Sequence, residues 1–284
     1  MKNVEINNQK YSLVESYSEM NKSQFLKICY LYSKFLVKTT PEEYDALRIQ
    51  AFYVLTGIPL RILKEINSAQ WVDIFPHVNY VFEDVPSVSK NMLPSLKIGF
   101  FTQRLYGPTG MCENLSLFEM MEADTAFIAA SNFQNIDKIY FLASILYRPK
   151  RSDLRSFKKS KKWNYDIREE YNQKVAEERI KLMKKVPMYK LVAIFIFYLS
   201  FRNKELVNSP ILEPIFKGKD KNMGLTIGWL GTLLAVSDGV FGTLDQTKEQ
   251  NWKLVLVKLA NDLTVRENQD IEANEARIRQ GFKK

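Results

Sequence analysis

The spacing of apolar positions in this chain changes once, near residue 20. Before that point Val4 and Ile6, then Tyr11 and Leu13, alternate with polar residues on either side of Asn7-Asn8-Gln9. A period of two interrupted by a turn is the pattern of two paired strands, so a short β-hairpin is expected within residues 1–20. From Ser23 onward the spacing is three and four. Phe25, Ile28, Cys29, Tyr32, Phe35 and Leu36 fall on one face of a helix, and Cys29, lying on that face, reads as a packing residue rather than a reactive thiol.

Helix ends are marked by residue chemistry. Thr40-Pro41-Glu42-Glu43 has a hydroxyl to cap the Glu43 amide, a glutamate to reach back, and a proline in the first turn, where no useful donor is lost. Leu47, Ala51, Phe52 and Leu55 carry the apolar face of this helix up to Gly57-Ile58-Pro59, a glycine exit followed by a proline that opens the next short helix. Asn67-Ser68 is expected to cap a segment with Trp71, Ile74, Phe75 and Val78, which Pro76 kinks or ends.

Between Val85 and Gly110 prolines and glycines break the pattern into loops, with one extended piece expected over residues 96–101. Two helical stripes follow, Leu115/Phe118/Met121/Thr125 and Ile136/Ile139/Tyr140/Ala143/Leu146, the second ending at Tyr147-Arg148-Pro149. A long polar helix is expected over 167–185. Thr247 to Gln250 reads as a second capping box, with Trp252, Val255, Leu256, Leu259 and Leu263 as the face behind it and a charged, solvent-facing helix over 267–284. The fold class is therefore mainly α: a β-hairpin element at 1–20 and a helical domain at 21–284. No repeat of 20 to 50 residues is visible, which disfavours a solenoid.

The most apolar run, LVAIFIFYLSF at 191–201, is eleven residues between Lys190 and Arg202. A bilayer takes roughly 20, so this segment reads as a buried helix and no membrane partner is expected. The stretch 225–241 contains Asp238 and three interior glycines and reads as a packed helix with its exit turn. The first eight residues have neither the apolar run nor the cleavage site of a secretory leader, and the protein is expected to remain where it is made.

Composition removes candidate chemistries. With 46% hydrophobic and 26% charged residues among 284, the chain has enough apolar side chains for a globular core. Its two cysteines, Cys29 and Cys112, and its one histidine, His77, supply neither a disulfide scaffold nor a four-ligand zinc site. A reducing compartment is the simplest setting. A nucleophile relay would have to use His77, which sits beside a proline with no nucleophile motif near it. Neither Gly107-Pro108-Thr109-Gly110 nor Gly218-Lys219-Asp220-Lys221 matches a phosphate-binding loop. Glu119, Glu122 and Asp124 are close in sequence, but without a second acidic cluster they read as a solvated helix face. Gly228 to Gly231 reads as a site of close helix packing. No catalytic residue, metal ligand or cofactor is assigned.

Net charge supplies the one distinctive feature. Of +9 for the chain, +7 lies in RPKRSDLRSFKKSKK at 148–162, where Arg148, Lys150, Arg151, Arg155, Lys158, Lys159, Lys161 and Lys162 face Asp153 alone. Phe157 lies inside this run, and Trp163 and Tyr165 follow it. Together they offer phosphate neutralisation with base stacking, or a basic and aromatic surface for docking another protein. The basic loop at 148–165 is thus the candidate contact segment.

The order of these features resembles that of proteins encoded in the tail-module region of tailed bacteriophages. The resemblance rests on the hairpin VEINNQKYSLVESYSEM running into KSQFLKICYLYSKFL, the TGIP turn at 56–59, LYGPTGMCENLSLFEMMEAD at 105–124, LYRP at 146–149 and IGWLGTLLAVSDGVFG at 227–242. It extends over most of the chain and includes tail assembly chaperones and virion proteins of phages of gut bacteria, the crAss-like group among them. The chain is longer than a typical tail chaperone. The resemblance implies a non-enzymatic tail or neck protein, present in the host cytoplasm during assembly and then in the virion. It would work through interfaces with other phage structural or assembly proteins, as a homo-oligomer or multi-copy part, with nucleic acid a further candidate partner of the basic segment.

Overall fold

The structure is a computed structural model that describes residues 2–6, 9–37, 39–99, 103–130, 135–161, 163–216, 226–237 and 240–281. Strands β1 (Lys2–Ile6) and β2 (Gln9–Leu13) form the expected antiparallel hairpin, with Val4 opposite Tyr11. Ile6 and Leu13 enter the core; residues 7 and 8, where the turn was expected, lie outside the described residues. The chain after the hairpin is tied to a distant turn, because the Tyr17 hydroxyl donates to Val81 O at 2.7 Å and that of Tyr80 to Val14 O at 2.8 Å.

Helix α1 (Lys22–Phe35) buries Phe25, Ile28 and Cys29 as the spacing predicts. It opens on a capping box that the sequence reading did not identify: Asn21 Oδ1 accepts from Gln24 N at 3.0 Å, and Gln24 Oε1 accepts from Asn21 N at 3.1 Å. Helix α2 (Pro41–Thr56) has the predicted one, with Glu43 N donating to Thr40 Oγ1 and Thr40 N to Glu43 Oε2. It stops at Gly57, whose φ of +69° is the left-handed conformation that a side chain would strain. Helices α3 (Leu60–Leu63) and α4 (Ser68–Ile74) follow, and α4 gives way to a 3-10 turn at Phe75–His77 around Pro76, as expected.

Strands β3 (Ser95–Ile98) and β4 (Gln103–Tyr106) pair with Leu96 opposite Leu105. The single extended piece expected at 96–101 is therefore one arm of a second hairpin.

Beyond it lie α5 (Leu117–Ala130), α6 (Ile136–Leu146), α7 (Leu154–Phe157), α8 (Gln173–Met183), α9 (Met188–Phe201), α10 (Glu213–Phe216), α11 (Thr226–Val236), α12 (Leu244–Glu249) and α13 (Trp252–Gly281). The chain is mainly helical, with thirteen helices among the described residues. Helix α9 is apolar on all sides because neighbours cover all of them: it packs along α1 and also meets α6 and α5, while α6 lies against α5 and α8. At 14 residues it is a core helix, and no described helix is long and apolar enough to cross a membrane.

Three expectations are corrected. The polar helix expected over 167–185 covers only Gln173–Met183, because Arg168 is held in an extended bridge to Lys150. Thr247 is a buried residue inside α12; the cap is Thr243, whose hydroxyl accepts from Gln246 N, and α13 starts afresh at Trp252. Helix α5 is buried around most of its circumference, and Phe118 and Thr125 of the predicted stripe are only half-buried.

Trp252 closes the C-terminal side of the core. It is 1% exposed, donates from Nε1 to Cys112 O at 2.8 Å and meets Phe201 edge-on at 5.3 Å. Its neighbours on α13, Val255, Leu256 and Ala260, are buried, whereas residues 264–278 are exposed.

Candidate functional site

The basic segment leaves the end of α6 at Arg148, where its backbone pairs with β4. Tyr106 N donates to Arg148 O at 2.8 Å and Arg148 N to Tyr106 O at 3.1 Å. On its other side Arg151 N donates to Ile167 O at 3.0 Å and Glu169 N to Pro149 O at 2.9 Å. The described residues between 152 and 165 are thus an excursion between two strands of chain that are bonded at its base, and together with Lys150 and Arg151 at that base we call it the lobe.

Beneath the lobe lies a cluster of four buried charges. Arg148 Nη2 is 3.1 Å from Glu119 Oε2 and 3.2 Å from Asp166 Oδ2. Arg168 Nη1 is 3.1 Å from Glu119 Oε1, its Nη2 is 2.7 Å from Asp166 Oδ2, and Nη1 also donates to Leu146 O at 2.8 Å. Two guanidiniums against two carboxylates sum to zero, the condition on which such groups leave water at tolerable cost. Burial, together with the neighbouring Arg168, pulls Arg148 below the usual arginine range; burial acts the same way on Arg168, but Glu119 and Asp166 outweigh it and leave that group above. Next to the cluster Arg179 pairs with Glu169 and donates to Ser144 O at 2.8 Å. These bonds pin 148–169 to α5 and to the end of α6.

The charged residues expected on a solvated face of α5 are therefore reassigned. Glu119 is 2% exposed and belongs to the cluster. Asp124 is fully buried, accepting from Arg202 Nε at 2.7 Å and from Trp229 Nε1 at 3.0 Å, and burial still raises its carboxyl above the ordinary value. Glu122 is half-buried. A helix with apolar residues on every side, as LFEMMEADTAFIAA is, leaves its carboxylates no free face; that was the available signal.

The lobe has a small core of its own. Arg151 forms a bidentate pair with Asp153 at 2.8 and 3.0 Å, reaches Glu170 at 3.2 Å and stacks its guanidinium 3.6 Å from the centre of the Phe157 ring. Phe157 meets Trp163 edge-on at 5.6 Å, Trp163 meets Tyr165 at 5.6 Å, and Lys158 Nζ stands 5.7 Å from the Trp163 ring. Helix α7 gives this core one helical turn, with Phe157 N donating to Asp153 O at 2.9 Å. Tyr165 has a φ of +65° and is 74% exposed.

The predicted contact residues thus divide. Lys150, Arg155, Lys158, Lys159, Lys161 and Tyr165 are exposed on one segment. Arg151, Phe157 and Trp163 are half-buried and hold it together. Arg148 does not belong to the surface set: it is 2% exposed and its Nη2 is turned inward to Glu119 and Asp166. Lys162 lies outside the described residues, as does Gly218 to Lys221. Sequence reasoning missed Glu119, Asp166 and Arg168, which anchor the lobe.

Two clefts open among the described residues. One of about 350 Å³, beside the base of the lobe, is lined by Lys90, Asn91, Tyr106, Gly107, Thr109 and Asp166 among others. The other, about 240 Å³ between β1 and α4, is bordered by Glu5, Asp73 and His77 without a serine, threonine or cysteine. Among the described residues no three His, Cys, Asp or Glu side chains are grouped to hold a metal ion. No protein-family model matches the chain, and no significant match is found among curated proteins or solved structures.

Proposed function

We propose that this protein is a non-enzymatic structural component of a bacteriophage tail or neck, present in several copies, which docks on acidic surfaces of neighbouring proteins through the lobe. The observation that carries this reading is the gathering of five exposed cations, Lys150, Arg155, Lys158, Lys159 and Lys161, on one segment whose base is fixed by buried ion pairs. A fixed patch loses less conformational freedom on association than a loose basic loop. Its charge steers encounter with an acidic surface and its arginine and tyrosine are residue types enriched in interface cores. The resemblance to tail-module proteins supplies the setting, assembly in the host cytoplasm and then residence in the virion.

A second reading, contact with nucleic acid, draws on the exposed Tyr165 ring beside the lysines, since stacking and phosphate neutralisation combine in single-strand binding. The stacks within the lobe weigh against it. Arg151 lies over Phe157 and Lys158 over Trp163, so those rings serve the lobe's own packing and Tyr165 is the ring most open to a base.

Quantitative mass spectrometry of purified particles tests the proposal. It is expected to find the protein at a fixed stoichiometry per virion. Absence from mature particles, with recovery on tail proteins from infected cells, would replace the structural role by that of an assembly chaperone. Retention on DNA or RNA that weakens steeply with salt and disappears when Lys158, Lys159 and Lys161 become Gln would favour the nucleic-acid reading.

A further inference from the structure

Strand β1 leaves one edge unpaired. Its ladder with β2 closes on Ile6 and Gln9. With only two residues between them, that pair has to be bonded directly, so the bonds alternate back through Val4/Tyr11 and Lys2/Leu13. Asn3 and Glu5 therefore turn their N–H and C=O away from β2. The sheet has two strands, and among the described residues no backbone bond meets Asn3 or Glu5 on that outer side.

The free edge borders the cleft of about 240 Å³. Four consecutive residues, Asn3, Val4, Glu5 and Ile6, line it. Side chains along a strand alternate between its two faces, so what these four share is the strand's edge. The opposite wall is α4 with the residues that flank it. Ile6, Ile66 and Ile74, all buried, give the cleft an apolar lining. Asp73 stands exposed at its border, and no lysine or arginine lines the cleft or occurs anywhere in residues 65–89.

We propose that the edge of β1 takes up an extended peptide of a partner protein as a third strand, with an apolar side chain over Ile6, Ile66 and Ile74 and a lysine or arginine beside Asp73. Backbone geometry selects the extended form, since donors and acceptors recurring at every second residue along an edge are matched by another strand. The isoleucines and Asp73 select its side chains, one apolar and one cationic. The slot shares no residue with the lobe, so it stands or falls independently of the docking reading.

The test titrates a fluorescein-labelled probe, acetyl-Val-Lys-Val-Lys-Val-Lys-amide, with the full chain at about 0.15 M salt and follows anisotropy. Saturable binding with a dissociation constant below about 1 mM is expected. Hydrogen exchange in the complex is expected to slow at the amides of Asn3 and Glu5 and to stay unchanged at those of Val4 and Ile6, which β2 already holds. N-methylating one alternate set of the peptide's amides is expected to abolish binding and N-methylating the other set to spare it, because one edge of the peptide meets β1. Glu5→Pro removes an outward N–H without taking a bond from β2 and is expected to weaken binding at least tenfold. Asp73→Lys, at an exposed helix position, is expected to weaken binding of the lysine probe about tenfold and to strengthen that of its glutamate counterpart. Circular dichroism verifies that both variants fold. Failure to saturate by about 1 mM, binding indifferent to N-methylation of either set, or variants that bind as the unaltered chain does would overturn the proposal.

Discussion

Glu119 and Arg148, 29 residues apart in the chain, meet through Oε2 and Nη2 at 3.1 Å inside the protein. This contact joins α5 to the residue from which the lobe departs, so lobe position and core integrity depend on the same buried charges. Replacing Glu119 by Gln leaves Arg148 and Arg168 sharing Asp166 as their one buried carboxylate. Removing one partner of a buried pair typically costs about 3–5 kcal/mol. Urea unfolding of Glu119→Gln is therefore expected to show a loss of that order, and a loss below about 1 kcal/mol would mean the charges are not buried as described.

The stability of the protein should carry a pH signature from Glu122. Burial, reinforced by Glu177 and opposed by Lys138, raises its carboxyl above the ordinary value of 4.5. The folded state therefore holds this proton to higher pH than the unfolded chain, and ionising the group costs folded-state stability as pH rises above 4.5. Glu122→Gln is accordingly expected to be more stable than the unaltered protein at pH 7. The advantage should shrink as pH falls toward 4.5, as followed by denaturant midpoints at each pH.

Gly107 is the tightest backbone approach near the lobe's base. A Cβ there would lie 2.7 Å from Asn91 Nδ2 and 2.8 Å from the Tyr147 ring, whose hydroxyl donates to Leu93 O at 2.6 Å. The ring is buried and has no room to yield. Gly107→Ala is expected to cost about 1–3 kcal/mol, the usual range for overpacking. Thermal unfolding measures it, and an unchanged midpoint would contradict the packing.

Both thiols should be silent in the folded protein. Cys29 and Cys112 are fully buried, and burial pushes each thiol well above its ordinary range, away from the reactive thiolate. A thiol reagent at mildly alkaline pH is expected to titrate no cysteine until denaturant unfolds the chain, and then both. Prompt reaction of the native protein would contradict the burial.

The parts of this fold legible in the sequence are those written by neighbouring residues. The Thr40 box, the Gly57 exit and the Pro76 break each depend on a few adjacent side chains and the backbone they satisfy, and each stands where the sequence places it. What was not legible depends on distance. β4 becomes a strand by pairing with β3, and Glu119 and Asp124 of α5 became buried because Arg148, Arg168 and Arg202 arrive from far along the chain to pair with them. The basic run was visible as charge, but which cations stay outside is decided by those same pairs. Arg148 therefore left the surface set while Lys158, Lys159 and Lys161 remained in it.

The proposed docking role of the lobe in a phage particle is tested most directly by incorporation. A phage lacking this protein is complemented with the unaltered chain or with a variant carrying Lys150→Gln, Arg155→Gln, Lys158→Gln, Lys159→Gln and Lys161→Gln, and the copies per purified particle are counted by mass spectrometry. All five side chains are exposed, so folding stability should change by no more than about 0.5 kcal/mol per site. We predict that the folded variant is lost from particles at least tenfold, a change of about 1.4 kcal/mol in attachment. Incorporation at the normal copy number would contradict the account.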